Sequence, residues 1–166
     1  MTTSPSAGGH EARRDRFVEE YRHDSYKLPS KLAEPTVCPT CSAVFHKGRW
    51  SWAAPPAGAH ETVCPACHRL QDKRPKGVLM LKGTFASQQS EQVMGVIKNI
   101  EMKENKEHPL ARIMSIDTTP DGLVVSTTDA HLPRQIGEAL KQAYHGELDI
   151  HYGEGEDSVR VNWTKS

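Results

Sequence analysis

Residues 36–67, TVCPTCSAVFHKGRWSWAAPPAGAHETVCPAC, contain all four cysteines of the chain and decide the fold of its first part. The cysteines form two CxxC pairs, Cys38/Cys41 and Cys64/Cys67, with 22 residues between the pairs. A CxxC turn directs two thiolates toward one point, and two such turns complete a tetrahedral set of soft sulfur ligands that suits Zn²⁺. The separation exceeds the usual ribbon spacing of about 15–20 residues, and the loop WAAPPAGA accounts for the excess. We therefore predict a four-cysteine zinc ribbon that holds one structural zinc ion.

The same cysteines fit three other kinds of site less well. The string CPACH at 64–68 matches the haem-attachment pattern, but attachment requires export and leaves Cys38 and Cys41 without a role. A redox site normally has one CxxC pair at a helix start, whereas we expect both pairs here in proline-containing turns. A catalytic zinc needs an open position, which four cysteines do not leave. Nearby histidines that could replace a cysteine are interpreted as loop residues: His46, His60 and His68.

A basic and aromatic segment, HKGRWSW, lies between the two cysteine pairs. Its cations can neutralise phosphates and its tryptophans can stack on unpaired bases, and more cations follow the second pair. The pattern predicts an RNA-binding surface made of Lys47, Arg49, Trp50, Trp52, Arg69, Lys73, Arg74 and Lys76. The alternative is that the two tryptophans pack in the ribbon core or at the seam with the next domain.

The charges of the chain balance overall but are divided between its two halves. The 166 residues include 21 Lys and Arg and 21 Asp and Glu. Residues 1–77 hold twelve basic and eight acidic residues, whereas residues 78–166 hold nine and thirteen. A basic half indicates an anionic partner, and two ordinary solvated surfaces are the alternative.

The chain from residue 78 onward has the periodicity of an α+β domain. Five short segments are strand-like: 78–82, 112–118, 123–128, 148–152 and 159–163. A helix is predicted from Ser87 or Ser90 to the residue before His108, and a second around 129–146 that buries Ile136, Leu140 and Ala143. The order β-α-β-β-α-β-β predicts a ferredoxin-like (split βαβ) domain with an extra C-terminal strand.

Three regions are predicted along the chain. Residues 1–35 form a disordered or partly helical arm, because 1–10 lack an apolar pattern and 11–22 have only a short helical one. The zinc ribbon then covers 36–77, and the α+β domain covers 78–166.

Targeting signals are weak. No segment has the 18 or more apolar residues of a membrane helix, so we expect no membrane contact. The pair Arg13-Arg14 resembles the start of a twin-arginine export signal, but the DRFVEEYRHD that follows is charged where such a signal is apolar. We expect a cytoplasmic protein, in which cysteines serve as metal ligands more often than as disulfides.

Catalytic motifs are absent from the sequence, with no P-loop, GxSxG or HExxH pattern. Several acidic and histidine side chains of the second half could form a second metal site or an acid/base set: Asp129, His131, His145, Glu147, Asp149 and His151. Such charges more often form a solvated face, so we predict that the protein is not an enzyme.

The chain resembles a family of small bacterial zinc-ribbon proteins. The matching segments are PTVCPTCSAVFHKGRWSW, CPACHRLQDKRPKG, EHPLARI, TTDAHLPRQIGEALKQAYHGELDIHY and VRVNW, which cover nearly everything after residue 35. That family is similar to the N-terminal zinc region of the archaeal and eukaryotic adaptor that escorts the large ribosomal subunit. The resemblance implies association with RNA or the ribosome, supports the four cysteines as zinc ligands, and names no catalytic residue.

Three classes of function thus remain to be compared. The leading prediction is a non-enzymatic zinc protein that binds RNA or the ribosome through the basic and aromatic finger. The chief alternative is a protein–protein adaptor in which the ribbon docks another protein and makes no nucleic-acid contact. A zinc-dependent or redox enzyme is the third class, and it would need an open metal position or a reactive thiol.

Overall fold

A computed structural model describes residues 32–153 and 158–166, which form two β-sheets and four helices. Residues 32–35 carry no helix or strand, and the rest of the predicted N-terminal arm, including the helix at 11–22, lies outside the described residues. None of the four helices combines the length and apolar character that a bilayer-spanning helix requires.

The first sheet forms the ribbon. Its strands, in the spatial order β3-β2-β1-β4, are β1 (Thr36–Val37), β2 (Val44–His46), β3 (Arg49–Ser51) and β4 (His60–Glu61). The hairpin between β2 and β3 turns through Lys47 and Gly48, whose φ angles are 53° and 78°. Two consecutive positive φ angles are typical of the type I′ turn that joins twisted antiparallel strands. The turn therefore presents the cations of the HKGRWSW segment to solvent.

The second cysteine pair begins a helix, α1 (Pro65–Asp72), and does not lie in a turn. The expectation that both pairs occupy proline-containing turns is therefore wrong for this pair. Cys64 is the N-cap residue, and its Sγ accepts a hydrogen bond from the backbone amide of Cys67 at 3.4 Å. Pro65 stands at the first helical position, where its fixed φ is suitable and its missing N–H leaves no hydrogen bond unmade.

The second sheet belongs to the α+β domain and has the spatial order β6-β7-β5-β9-β8. Its elements along the chain are β5 (Gly77–Lys82), α2 (Thr84–Gln88), α3 (Ser90–Glu107), β6 (Ile113–Thr119), β7 (Gly122–Thr127), α4 (His131–Tyr144), β8 (Glu147–Tyr152) and β9 (Val159–Thr164). The mixed α+β class is as predicted. β7 lies between β5 and β6, which makes a split βαβ unit, but β9 is inserted between β5 and β8 and runs parallel to β5. The ferredoxin-like arrangement as a whole is thus not confirmed.

The core of the α+β domain lies between this sheet and the helices α3 and α4. The helices contribute Val93, Ile97, Ile136 and Leu140, all of them buried. Ala143 was predicted to be buried with them but is exposed. It stands in the last turn of α4, where the next residue, Tyr144, packs against the core instead.

Candidate metal centre

The four cysteine sulfurs lie within 4.8 Å of one another, and none of them forms a disulfide. The Sγ atoms of Cys38 and Cys67 are 3.8 Å apart, and those of Cys41 and Cys64 are also 3.8 Å apart. A tetrahedral centre with Zn–S bonds of about 2.3 Å places its sulfurs about 3.8 Å from one another. The donor set and its spacing therefore fit one tetrahedral metal ion.

Local backbone structure explains how the first pair reaches this point. Cys38 follows β1, and its amide donates to the carbonyl of Ala43, while the amide of Ser42 donates to the carbonyl of Cys38, both at 2.8 Å. Ser42 has a φ of 71°, so the chain reverses tightly after Cys41. The turn brings both side chains to the side of the ribbon on which α1 carries the second pair.

The centre is enclosed and receives backbone hydrogen bonds. Cys38, Cys64 and Cys67 are at most 2% exposed, and Cys41 is half-buried. The amide of Cys64 donates to the Sγ of Cys38 at 3.3 Å, in addition to the cap bond between Cys67 and Cys64. Amide donors stabilise thiolate sulfur, so this backbone is arranged for charged ligands.

The ionisation of the thiols reflects competition between burial and these donors. Burial by itself would raise the pKa of Cys38, yet hydrogen bonds from the backbone of Cys64, Cys41 and Thr40 bring it down to about 6. Burial raises the pKa of Cys64 and of Cys67 above the ordinary thiol value. Burial therefore opposes ionisation of Cys64 and Cys67, and a cation at the centre would draw the protons off these two sulfurs.

A guanidinium from the α+β domain caps the cluster. The Nη2 of Arg112 lies 3.0 Å from the Sγ of Cys41 and 3.7 Å from that of Cys64, and its Nη1 lies 3.3 Å from that of Cys67. Although burial opposes it, hydrogen bonding to Cys67 and Cys41 raises the pKa of Arg112 above its already high value. The charge at this position is therefore permanent.

Four of the eight predicted RNA-binding residues are exposed cations, and the other four are wholly or partly engaged within the molecule. Lys47 and Arg49 are exposed in the β2–β3 hairpin, and Lys73 and Arg74 are exposed directly after α1. Arg69 is buried instead, and its Nη1 donates to the carbonyl of Arg74 at 3.0 Å.

Lys76 and Trp50 are half-buried. Trp50 packs on the cysteine cluster and against the ring of Phe45, with the ring centroids 5.4 Å apart. Part of its ring is thus covered by the ribbon itself, which leaves less of it for stacking on a base.

Trp52 joins the ribbon to the α+β domain. Its Nε1 donates to the carbonyl of Asn105 at 2.6 Å, and the guanidinium of Arg112 lies 5.7 Å from its ring centroid. The side chain is still 40% exposed. Both tryptophans thus have the packing roles that the alternative interpretation describes, Trp50 in the ribbon and Trp52 at the seam.

In the described part of the chain, the other histidine, aspartate and glutamate side chains form no comparable group of potential metal ligands. Among residues 32–153 and 158–166, the four cysteines are the only group of three or more potential metal ligands, and no histidine belongs to it. His151 and Asp149 form an exposed pair at 2.7 Å. The remaining candidates from the second half are not gathered around that pair into a ligand group: Asp129, His131, His145 and Glu147.

Three residues at this centre were not predicted from the sequence: Asn105, Leu110 and Arg112. Leu110 packs on the cysteine cluster, and Asn105 and Arg112 make the contacts described above. All three lie outside the cysteine motif, at the end of α3 and in the loop that follows it. The sequence offered a signal only for Leu110 and Arg112, in the segment EHPLARI, where one arginine stands among the apolar residues of PLARI.

In comparisons with known proteins, no protein-family model and no curated protein matches the chain. The resemblance to bacterial zinc-ribbon proteins therefore stays an expectation. The four cysteines, by their own geometry, could hold one metal ion.

Proposed function

We propose that this protein is a non-enzymatic, cytoplasmic zinc-binding protein that associates with RNA, including RNA of the ribosome. The observation that carries the proposal is the tetrahedral spacing of the four cysteine sulfurs beside a hairpin that exposes Lys47 and Arg49. In this proposal the metal shapes the ribbon, and the ribbon presents the cations.

A structural role for the ion is supported by its ligands. Four thiolates fill a tetrahedral sphere, whereas catalytic zinc retains a position for water or substrate. Burial of three of the four cysteines and the cap by Arg112 also keep solvent from the ion. Zinc is favoured over iron because a ribbon with two CxxC pairs is typical of structural zinc sites, although iron also accepts four sulfurs.

RNA is the proposed partner because the exposed charges of the ribbon are mainly positive. Lys47, Arg49, Lys73 and Arg74 face solvent, while the exposed acidic residues of the ribbon are Glu61 and Asp72. Glu34, just before the ribbon, is exposed too, and its Oε1 accepts a hydrogen bond from the amide of Gly48 in the hairpin at 2.7 Å. The resemblance to the adaptor of the large ribosomal subunit points the same way. Since the two tryptophans are engaged within the molecule, we propose contacts to phosphates, with base stacking contributing little. Such binding weakens steeply as salt rises, because it depends on counterion release.

The test compares two double variants that remove the same charge from different parts of the molecule. R49E/K73E changes exposed cations of the ribbon, and K82E/R160E changes exposed cations of the α+β domain. Fluorescence anisotropy with a single-stranded RNA should show binding that falls with salt, a large loss for R49E/K73E, and little loss for K82E/R160E. Equal losses for both variants would show that binding depends on net charge and not on the ribbon. Unchanged binding by R49E/K73E would place any RNA contact elsewhere.

Association in cells is tested by sedimentation of the tagged protein from gently lysed cells. Migration with ribosomal particles that is lost after RNase treatment or in high salt is expected. A protein that stays at the top of the gradient under every condition would contradict ribosome binding.

A protein–protein adaptor is the second candidate function. It is favoured by two apolar side chains that the ribbon leaves exposed, Trp52 at 40% and Leu70 at 38%. A partner that is retained after RNase treatment and lost on Leu70→Glu would support the adaptor in place of RNA binding.

A further inference from the structure

Arg112 is fixed by its own domain before it reaches the cysteines. Its backbone amide donates to the Oγ1 of Thr128 at 2.9 Å, and its Nε donates to the carbonyl of Pro109 at 2.7 Å. The amide of Thr128 in turn donates to the carbonyl of Arg112 at 2.9 Å. The side chain is therefore oriented by the loop between α3 and β6 and by the end of β7, not by the ribbon.

From this anchored position the guanidinium crosses to the ribbon. Its two terminal nitrogens lie 3.0 Å, 3.3 Å and 3.7 Å from the sulfurs of Cys41, Cys67 and Cys64. The planar guanidinium carries several donors in a rigid fork, so one side chain can contact several acceptors at once. Arg112 thus stands next to three of the four predicted ligands without being a ligand itself.

The strength of this contact depends on whether the sulfurs hold a metal ion. Four thiolates around one divalent ion carry more negative charge than the ion neutralises, and a guanidinium beside them forms charge-assisted hydrogen bonds. A bound ion also fixes the sulfurs of Cys41, Cys64 and Cys67 at the positions that the fork of Arg112 reaches. The contact of the guanidinium is therefore strongest when the metal is bound.

Further contacts at the same place make this a seam between the two parts of the chain. We define the seam by Trp52, Asn105, Leu110 and Arg112. Trp52 donates to the backbone carbonyl of Asn105, and the side-chain Nδ2 of Asn105 donates to the carbonyl of Ala111 at 3.2 Å, which holds the loop that carries Leu110 and Arg112. Leu110 completes the apolar cover of the cysteines.

We infer that Arg112 is an outer-sphere partner of the metal centre that couples metal occupancy to docking of the ribbon on the α+β domain. The inference rests on the metal-binding part of the proposed function and is independent of RNA. Coupling of this kind is reciprocal: the metal strengthens the seam, and the docked α+β domain strengthens metal binding by the same factor.

The first test measures zinc affinity in the full-length chain by competition with a chromophoric chelator. Arg112→Gln should bind zinc about 10–100-fold more weakly than the wild type, the usual cost of losing an outer-sphere partner. Arg112→Lys keeps the charge but lacks the forked donors of the guanidinium, so its zinc affinity should lie between those of the wild type and Arg112→Gln. Arg160→Gln removes an exposed arginine of β9 and serves as the matched control with unchanged affinity.

The second test follows the seam itself by hydrogen exchange. Residues 105–112 contain no metal ligand, yet removal of zinc from the wild type should increase exchange there. In Arg112→Gln that increase should already be present with zinc bound, while β5, β7 and β9 stay protected and show that the α+β domain is folded.

Three results would overturn the inference. The first is a zinc affinity equal to that of the wild type in both Arg112→Gln and Arg112→Lys. The second is hydrogen exchange at residues 105–112 that does not change when zinc is removed. Either of these would leave the proposed function standing. The third is a wild-type chain that takes up no zinc, which would overturn the proposed function as well.

Discussion

The ribbon and the α+β domain reach stable structure by different means. In the ribbon, the buried cluster around the centre consists of Ala66 and three cysteines, and its strands are two or three residues long. The α+β domain buries a cluster of thirteen apolar residues between a five-stranded sheet and its helices. A core as small as that of the ribbon cannot offset the entropy of ordering the chain, so we expect a metal ion bound by the four cysteines to supply the difference. The larger core needs no such help.

Loss of a metal ligand should have the largest effect, and it should be confined to the ribbon and to the seam at residues 105–112. Cys38→Ser removes a sulfur that is fully buried at the centre. Because structural zinc contributes on the order of 10 kcal/mol to the folding of such small modules, residues 36–72 should lose protection from hydrogen exchange. The α+β domain should keep its protected strands. Global unfolding detected by circular dichroism would show that the two regions are not independent.

The converse experiment weakens the larger core. Trp163 is fully buried, packs edge-on against Phe85 and donates from its Nε1 to the carbonyl of His145 at 2.8 Å. Trp163→Ala should lower the free energy of unfolding of this domain by about 3–5 kcal/mol. The matched change at the surface, Met102→Ala, removes a side chain that is 68% exposed. It should change the free energy of unfolding by no more than about 0.5 kcal/mol. Urea unfolding provides the values, and equal losses for the two variants would contradict this location of the core.

An intermediate effect is expected at the start of α4. The Oδ1 of Asp129 accepts a hydrogen bond from the amide of Leu132 at 2.9 Å, which stabilises the first turn of the helix. Asp129→Ala should therefore cost about 1 kcal/mol in acid, where the carboxyl of Asp129 is uncharged. Asp129→Asn keeps an acceptor at the same position and isolates the effect of the charge.

The charge of Asp129 should make this comparison depend on pH. Burial raises the pKa of Asp129, and hydrogen bonding to Leu132 and the nearby charges of His131 and Lys76 only partly oppose this. The folded protein then holds the proton to a higher pH than the unfolded chain does, so ionisation lowers stability as the pH rises through the raised pKa. Asp129→Asn should be as stable as the wild type in acid and more stable than the wild type near neutral pH. A wild type that gains stability relative to Asp129→Asn over that rise would contradict the direction of the shift.

The smallest effect is expected from an exposed ion pair. The Nε of Arg134 and a carboxylate oxygen of Glu138 are 3.8 Å apart on α4, and the two side chains are 42% and 59% exposed. Glu138→Gln should change the free energy of unfolding by less than about 0.5 kcal/mol. A thermal melt that shows a larger loss would mean that the outer face of α4 contributes more than its exposure implies.

Local patterns in the sequence predicted much of this structure. The CxxC spacing predicted the ribbon and its four candidate ligands, because it depends on short turns whose geometry is set by neighbouring residues. Alternation in 148–152 and 159–163 likewise predicted β8 and β9, which are Glu147–Tyr152 and Val159–Thr164. The proline rule predicted a turn at Cys64, but Pro65 is equally suited to begin a helix, and the structure places α1 there.

Long-range pairing could not be predicted in this way. Nothing in the residues of β9 requires it to lie between β5 and β8, because its apolar face would fit an edge position too. The same limit applies to Arg112, which is 71 positions from Cys41 in the chain and 3.0 Å from it in the structure. Periodicity identifies elements and their faces, whereas the seam depends on how the two parts of the chain meet.

X-ray absorption spectroscopy at the zinc edge on the purified full-length protein, with the metal content measured in the same sample, would test the central claim most directly. We expect one zinc per chain surrounded by four sulfur scatterers at about 2.3 Å. Nitrogen or oxygen scatterers in place of one or more sulfurs, or a protein that purifies without zinc and does not take it up, would contradict the assignment of Cys38, Cys41, Cys64 and Cys67 as its ligands.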